Sequence, residues 1–180
     1  GFENASLWSG VAGLSNLAVQ GSSSAIINSN GWTEAVSVPL SSAGVVEDTA
    51  HLSVRMAAAA QYWGEIRLRF NCPSRGIWSR EIGSQSLVGK APGVFHTLAF
   101  SVPSDLRQLL NSTGYADLTI TVIINAPAGQ YLLDNLLLGA QSVIDTDTFP
   151  DTADTDSGND SSSGENTLIF SIPEGNSLQD

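Results

Sequence analysis

Runs in which apolar and polar side chains alternate recur through the first 140 residues, and they constrain the fold more than any other feature of the chain. Successive side chains of an extended strand point to opposite faces, so alternation reads as a half-buried strand. Residues 32–40 set Trp32, Glu34, Val36, Val38 and Leu40 on one side and Thr33, Ala35 and Ser37 on the other. Residues 51–57 place Leu52, Val54 and Met56 inward. Residues 62–70 turn Ile66, Leu68 and Phe70 inward against Trp63, Glu65, Arg67 and Arg69. Residues 94–102 hold Val94, His96, Leu98, Phe100 and Val102 in one phase, and short apolar pieces at 14–20, 25–27, 77–82 and 118–124 extend the series. A single short helix is expected at 104–110, where Pro103 precedes a capping Ser104 and Leu106, Leu109 and Leu110 fall at helical spacing. Strands at this spacing, with no alternation of strand and helix, predict an all-β fold: an antiparallel β-sandwich of jelly-roll type with one short helix.

The closing strand, residues 130–138, reads Gln-Tyr-Leu-Leu-Asp-Asn-Leu-Leu-Leu. Counted in twos, Leu132, Asp134, Leu136 and Leu138 share a face. A carboxylate in phase with three leucines is costly to bury unless something pairs with it, and this strand holds no basic residue. A bound cation is one answer, with Glu3 of the opening Gly-Phe-Glu as a second ligand. Hard oxygens with no His or Cys nearby point to calcium, completed by backbone carbonyls. The other reading makes Glu3 an exposed terminal acid and hydrogen-bonds Asp134 to a neighbouring turn.

An opening Gly-Phe-Glu, a tryptophan soon after at Trp8 and a closing Tyr-Leu-Leu-Asp-Asn-Leu strand together resemble the calcium-containing jelly-roll carbohydrate-binding modules of types 4, 16 and 22. The resemblance covers residues 1–140. It implies a structural calcium held in part by Glu3 and Asp134, tying the first strand to the last. It further implies a polysaccharide or oligosaccharide as partner, a catalytic domain tethered in the parent protein, a secreted location and a monomeric state.

The formal net charge of -11 belongs mostly to the end of the chain. Residues 1–140 carry all 7 Lys and Arg against half of the 18 acids, whereas residues 141–180 carry the other half and no base. A nearly neutral body without a basic patch argues against nucleic acid as partner. No apolar run approaches the roughly 20 residues that span a bilayer, so no membrane partner is expected. Cys72 is the single cysteine, which excludes an internal disulfide and a cysteine-based metal site. The chain opens on Gly1, and we expect it to be cut from a longer precursor. Residues 1–140 are expected to form the sandwich and residues 141–166, acidic and rich in Ser and Thr, a solvated linker. Residues 167–180 read as a stray strand or the start of a neighbouring domain. Asp-x-Asp spacing in the tail lacks the Asp-Gly turns of a calcium-binding repeat, so the linker reading is preferred. Three glycosylation-type triplets, at Asn4, Asn111 and Asn159, are short enough to arise by chance.

Sugar recognition needs an aromatic plane for the apolar face of a pyranose and forked polar groups for its hydroxyls. The outward side of residues 62–70 offers both in Trp63, Glu65, Arg67 and Arg69, and Trp78 and Arg80 form a similar pair on the next strand. These six are the candidate ligand-binding residues. The bland reading covers the face with a loop and packs them beneath it. Trp32, in phase with Val36, Val38 and Leu40, is assigned to the core, and Trp8 is read as a core or edge anchor. His96 is read as a satisfied core histidine, His51 has no evident partner, and Cys72 sits before Pro73 with nothing to activate it, so no catalytic residues are expected. The expectation is a noncatalytic module that holds a tethered enzyme on its polysaccharide. The alternative is a structural or adhesive spacer of the same fold with no glycan ligand.

Overall fold

The computed structural model describes residues 2–42 and 44–139. The expected linker and the final segment, residues 141–166 and 167–180, lie outside the described residues.

The described residues form ten strands in two five-stranded antiparallel sheets. They are β1 (Trp8–Ser9), β2 (Gly13–Ser15), β3 (Ser24–Ser29), β4 (Trp32–Ser37), β5 (Thr49–Met56), β6 (Glu65–Cys72), β7 (Ile77–Ser86), β8 (Phe95–Ser101), β9 (Thr119–Asn125) and β10 (Gly129–Leu137). One sheet runs β1-β4-β9-β6-β7 and the other β2-β3-β10-β5-β8. Most connections cross between the sheets, and only β2–β3 and β6–β7 are consecutive neighbours in one sheet. The expected jelly-roll sandwich is what forms. The one α-helix among the described residues, α1 (Ser104–Ser112), starts one residue earlier than a Ser104 cap would have it: Pro103 is the cap residue and its carbonyl accepts from the Arg107 amide at 3.0 Å. Leu106 and Leu110 turn inward, while Leu109 is 42% exposed.

The core is the space between the sheets, filled as the alternation requires. Leu52, Val54 and Met56 of β5 meet Ile66, Leu68 and Phe70 of β6, and all six are fully buried. Ile120, Val122 and Ile124 of β9 and Tyr131 and Leu133 of β10 complete the two inner faces. Phe2 and Trp8 seal the end near the first strand, their rings 4.5 Å apart. Burial on this scale, at about 25 cal/mol per Å², is the main force holding a sandwich without disulfides.

Two departures from simple alternation matter for the site. In β10 the pairing with β5 slips between Asp134 and Leu137, and Asn135 sits at a φ of 49°. This bulge reverses the phase, so Leu132 and Asp134 face outward while Leu136 and Leu138 join the inter-sheet core. The predicted single face of Leu132, Asp134, Leu136 and Leu138 is therefore wrong, because one extra residue shifts every side chain after it. In β4 the inward side is the small one, with Ala35 and Ser37 buried. Trp32 is 52% exposed, which overturns its assignment to the core. Val36, in phase with Trp32, suggests burial, but this side of β4 is the outer face of its sheet, shared with Thr121 and Arg69.

Candidate functional site

The outer face of the first sheet is built by register. Trp32 of β4 lies opposite Asn125 of β9, which lies opposite Glu65 of β6. One step along, Glu34, Ile123 and Arg67 align, followed by Val36, Thr121 and Arg69. Ser84 and Glu81 of β7 continue the rows of Arg67 and Arg69. Directly opposed residues in antiparallel strands share a face, so these side chains form one polar surface with an aromatic at its edge.

Charge on this surface is paired within the protein. Glu65 Oε1 accepts from Arg67 Nε at 2.9 Å and from Asn125 Nδ2 at 3.0 Å. Arg67 also lies 3.5 Å from Glu81 Oε2. Arg69 Nη2 donates to both oxygens of Glu34 at 3.0 Å. The hydrogen bond from Arg67, followed by that from Asn125, holds the Glu65 carboxyl below the usual carboxylate range, and the same bond raises Arg67. Trp32 joins both groups: its Nε1 donates to Glu34 Oε1 at 3.4 Å, and the Arg67 guanidinium lies 5.9 Å from its ring centroid. Arg67 sits two strands away from Trp32, about 10 Å at the usual strand spacing, so the indole leans across β9. Between them Ile123, although on the outer face, is 1% exposed.

Of the six predicted ligand residues, Glu65, Arg67 and Arg69 lie together on this face. Trp63 falls before β6 begins, beyond Gly64 at a φ of 148°, and is 47% exposed with Tyr62 at 89%. It stands at the Trp32 end of the face, because Trp32 pairs through Asn125 with Glu65. Trp78 lies at the other end. There Trp78 and Ser79 together oppose Asn71 in a bulge, with Ser79 at a φ of 46° and its amide on Asn71 Oδ1. Trp78 is 70% exposed. Arg80 departs from the expected pairing: it opposes the inward-facing Phe70 and reaches Asp105 of α1 at 3.0 Å. The bulge breaks the phase between Trp78 and Arg80, and Arg80, next to Glu81, lies on the other side of its strand, away from the Arg67 row. Sequence reasoning missed Trp32 and Glu34, although the two-residue spacing of Trp32 and Glu34 and their polar register partners were there to be used.

The two predicted metal ligands converge on one loop between β2 and β3. Asp134, 1% exposed, accepts from the Val19 amide at 2.6 Å and the Gln20 amide at 3.1 Å through Oδ2, and from the Asn135 amide at 2.7 Å through Oδ1. Glu3 accepts from Ser22 Oγ at 2.8 Å and the Ser22 amide at 3.2 Å. Desolvation opposes ionisation of Glu3, but the bonds from Ser22 and Ser23 hold its carboxyl low. Burial of Asp134 thus finds its compensation in three backbone donors, so burial alone does not call for an ion. Among the described residues no three His, Cys, Asp or Glu side chains gather as a metal cluster. Two buried oxygens beside Asp134, Ser53 Oγ and Asn135 Oδ1, have no hydrogen-bond partner. Ser53 is the register partner of Asp134 on β5.

Of the three nucleophile candidates, Cys72 and His96 each have a hydrogen-bond partner within the protein, and His51 Nδ1 is buried without one. Cys72 is buried, and burial together with the Asp117 carboxylate at 3.2 Å pushes its thiol up. His96 is satisfied by the Ala91 carbonyl at 2.8 Å. An open hollow of about 520 Å³ beside Cys72 is lined by Ser74, Gly114, Tyr115, Ala116 and Asp117. Among the described residues no helix is long and apolar enough to cross a membrane.

No family model and no curated protein matches the chain in sequence. Solved structures match in fold. A family 28 carbohydrate-binding module specific for non-crystalline cellulose superposes with a TM-score of 0.53 at 15% identity, over 76% of this chain and 88% of that one. A xylan-binding family 22 domain from Paenibacillus barcinonensis gives 0.42 at 14% identity, over 74% and 87%. A xylan-binding family 15 module gives 0.43 at 15% identity, over 68% and 78%. The chain has a two-sheet fold that resembles carbohydrate-binding modules.

Proposed function

We propose that this protein is a noncatalytic polysaccharide-binding module, an accessory part of a secreted multidomain carbohydrate-active protein. The observation that carries the reading is the outer face of the first sheet, where an exposed indole at Trp32 borders a row of fixed polar groups. An indole offers a plane for the apolar face of a pyranose, and Glu34, Glu65, Arg67 and Asn125 offer acceptors and donors for its hydroxyls. Trp63 and Trp78 stand at the two ends of the face, and the six residue steps from Glu65 to Asn71 between them span about 20 Å at 3.3 Å per residue, which suits an extended chain lying along the strand.

The charge balance supports a neutral glycan. Arg67 and Arg69 face Glu34, Glu65 and Glu81, so the acids outnumber the bases and each arginine already has a carboxylate. A uronate chain would have to displace an internal partner to gain one. Affinity electrophoresis of the full chain through gels containing xylan, hydroxyethyl cellulose, alginate or polygalacturonate tests the reading. Retardation by a neutral polymer and not by the two acidic ones is expected, and free migration in all four gels would refute it. Free migration is what the spacer reading expects, and the internal pairing of Arg67, Arg69 and Arg80 is the observation that favours that rival.

A structural calcium ion is part of the proposal. Glu3 and Asp134 would share in holding it with the unpartnered Ser53 Oγ and Asn135 Oδ1, a set of hard oxygens that suits this cation. Three of the roughly four lone-pair sites of Asp134 accept amides, which leaves one for an ion. The ion would add rigidity to the loop between β2 and β3, far from the glycan face and with no part in binding.

A further inference from the structure

We propose that Arg69 is a positioning residue for the Trp32 indole, acting through Glu34 and leaving contact with the glycan to Trp32 itself; this rests on the polysaccharide reading above. Arg69 Nη2 bridges both carboxylate oxygens of Glu34 at 3.0 Å. One of those oxygens accepts from Trp32 Nε1 at 3.4 Å. Glu34 therefore sits between a guanidinium that fixes its rotamer and an indole whose ring edge it holds. On the ring face a second constraint acts, the Arg67 guanidinium 5.9 Å from the centroid, itself fixed by Glu65 and Glu81. Edge and face together define the ring plane of a side chain that is 52% exposed.

The consequence is energetic. An exposed tryptophan free to rotate loses that freedom when a sugar stacks on it, whereas one held in advance does not. Arg69 gains nothing from solvent access for this role, since its charge is spent on Glu34. Its phase with Glu65 and Arg67 predicts a direct ligand. Its position in the row of Thr121 and Val36, away from Trp32 and coupled to it only through Glu34, gives it a different task.

Two readouts test this. Without any ligand, the near-ultraviolet circular dichroism of wild-type protein minus that of Trp32→Phe isolates the Trp32 band. Arg69→Met should remove most of that band while the far-ultraviolet spectrum stays unchanged; an intact band overturns the proposal whether or not any glycan binds. With cellohexaose or soluble xylan as probe, Arg69→Met should weaken binding roughly three- to tenfold in wild-type background. In a Trp32→Ala background the same substitution should change affinity by less than about twofold, because its effector is gone. An equal loss in both backgrounds makes Arg69 a direct ligand and refutes the inference. Binding of neither probe, with the Trp32 band lost in Arg69→Met, leaves the positioning role standing and counts against the glycan reading alone.

Discussion

Replacing Asp134 with Ala tests what the acid in the last strand does. Its carboxylate is buried and accepts three backbone amides, two from the loop at Val19 and Gln20 and one from Asn135 in the bulge. A hydrogen bond to a charged group contributes about 1.5–3 kcal/mol, and an amide left buried without an acceptor costs its desolvation. Three such bonds on one group are not additive, so the expected loss is about 3–5 kcal/mol. For a domain of this size that lowers the midpoint by about 10–20 °C. Differential scanning calorimetry of the full chain in excess chelator reads the amide contribution free of any ion. Asp134→Asn, which keeps one acceptor oxygen and loses the charge, should fall between. A loss below about 1 kcal/mol in chelator would refute the amide account. Added calcium should raise the midpoint of the wild type and leave that of Asp134→Ala where it is.

Other consequences follow from the packing and the charges. Phe70→Ala removes a fully buried ring between the sheets and should cost about 3–5 kcal/mol, seen as a lower urea midpoint at unchanged slope. Gly10 has a φ of 80° and a Cβ there would lie 2.1 Å from the Glu34 carbonyl oxygen. Gly10→Ala should therefore cost at least about 1–2 kcal/mol by the same melts, and weaken glycan binding by displacing Glu34. Glu3, Glu65 and Asp117 all have carboxyls held below their usual values by hydrogen bonds in the folded state. Their contribution is fully present above the unfolded values near 4.5 for Glu and 3.8 for Asp, and is lost as pH falls through the folded ones. The melting midpoint should thus be level from pH 7 to about 5 and drop towards pH 3; a midpoint unchanged at pH 3 would contradict these bonds.

The inner face was legible because alternation over β5, β6 and β8 is set by burial itself. Ile66, Leu68 and Phe70 could not face water, so Glu65, Arg67 and Arg69 had to. What escaped was set by single backbone irregularities and by size. The bulge at Asn135 moved Leu136 and Leu138 to the core, and hydrophobicity on both sides of β10 gave no warning of it. The bulge at Ser79 turned Arg80 towards Asp105. In β4 both sides are mixed, so its alternation alone does not say which side faces the core: Ala35 and Ser37 do and Trp32 does not. The pairing of Asp134 with loop amides depends on how residues 19–22 fold back, which no local pattern encodes.

The most direct test of glycan recognition by this face is isothermal titration of the full chain and of Trp32→Ala with cellohexaose and with xylan. About half of the indole surface is free for a ligand to cover, so its loss should weaken binding about 5- to 30-fold, equivalent to about 1–2 kcal/mol. The variant should stay folded with an unchanged far-ultraviolet spectrum, its midpoint lowered by the lost contacts with Glu34 and Arg67 and the uncovering of Ile123. Saturable binding by the wild type that weakens to this degree in the variant is the predicted result. Equal affinity of the two proteins, or no heat with either ligand, would contradict the assignment of the glycan site to this sheet.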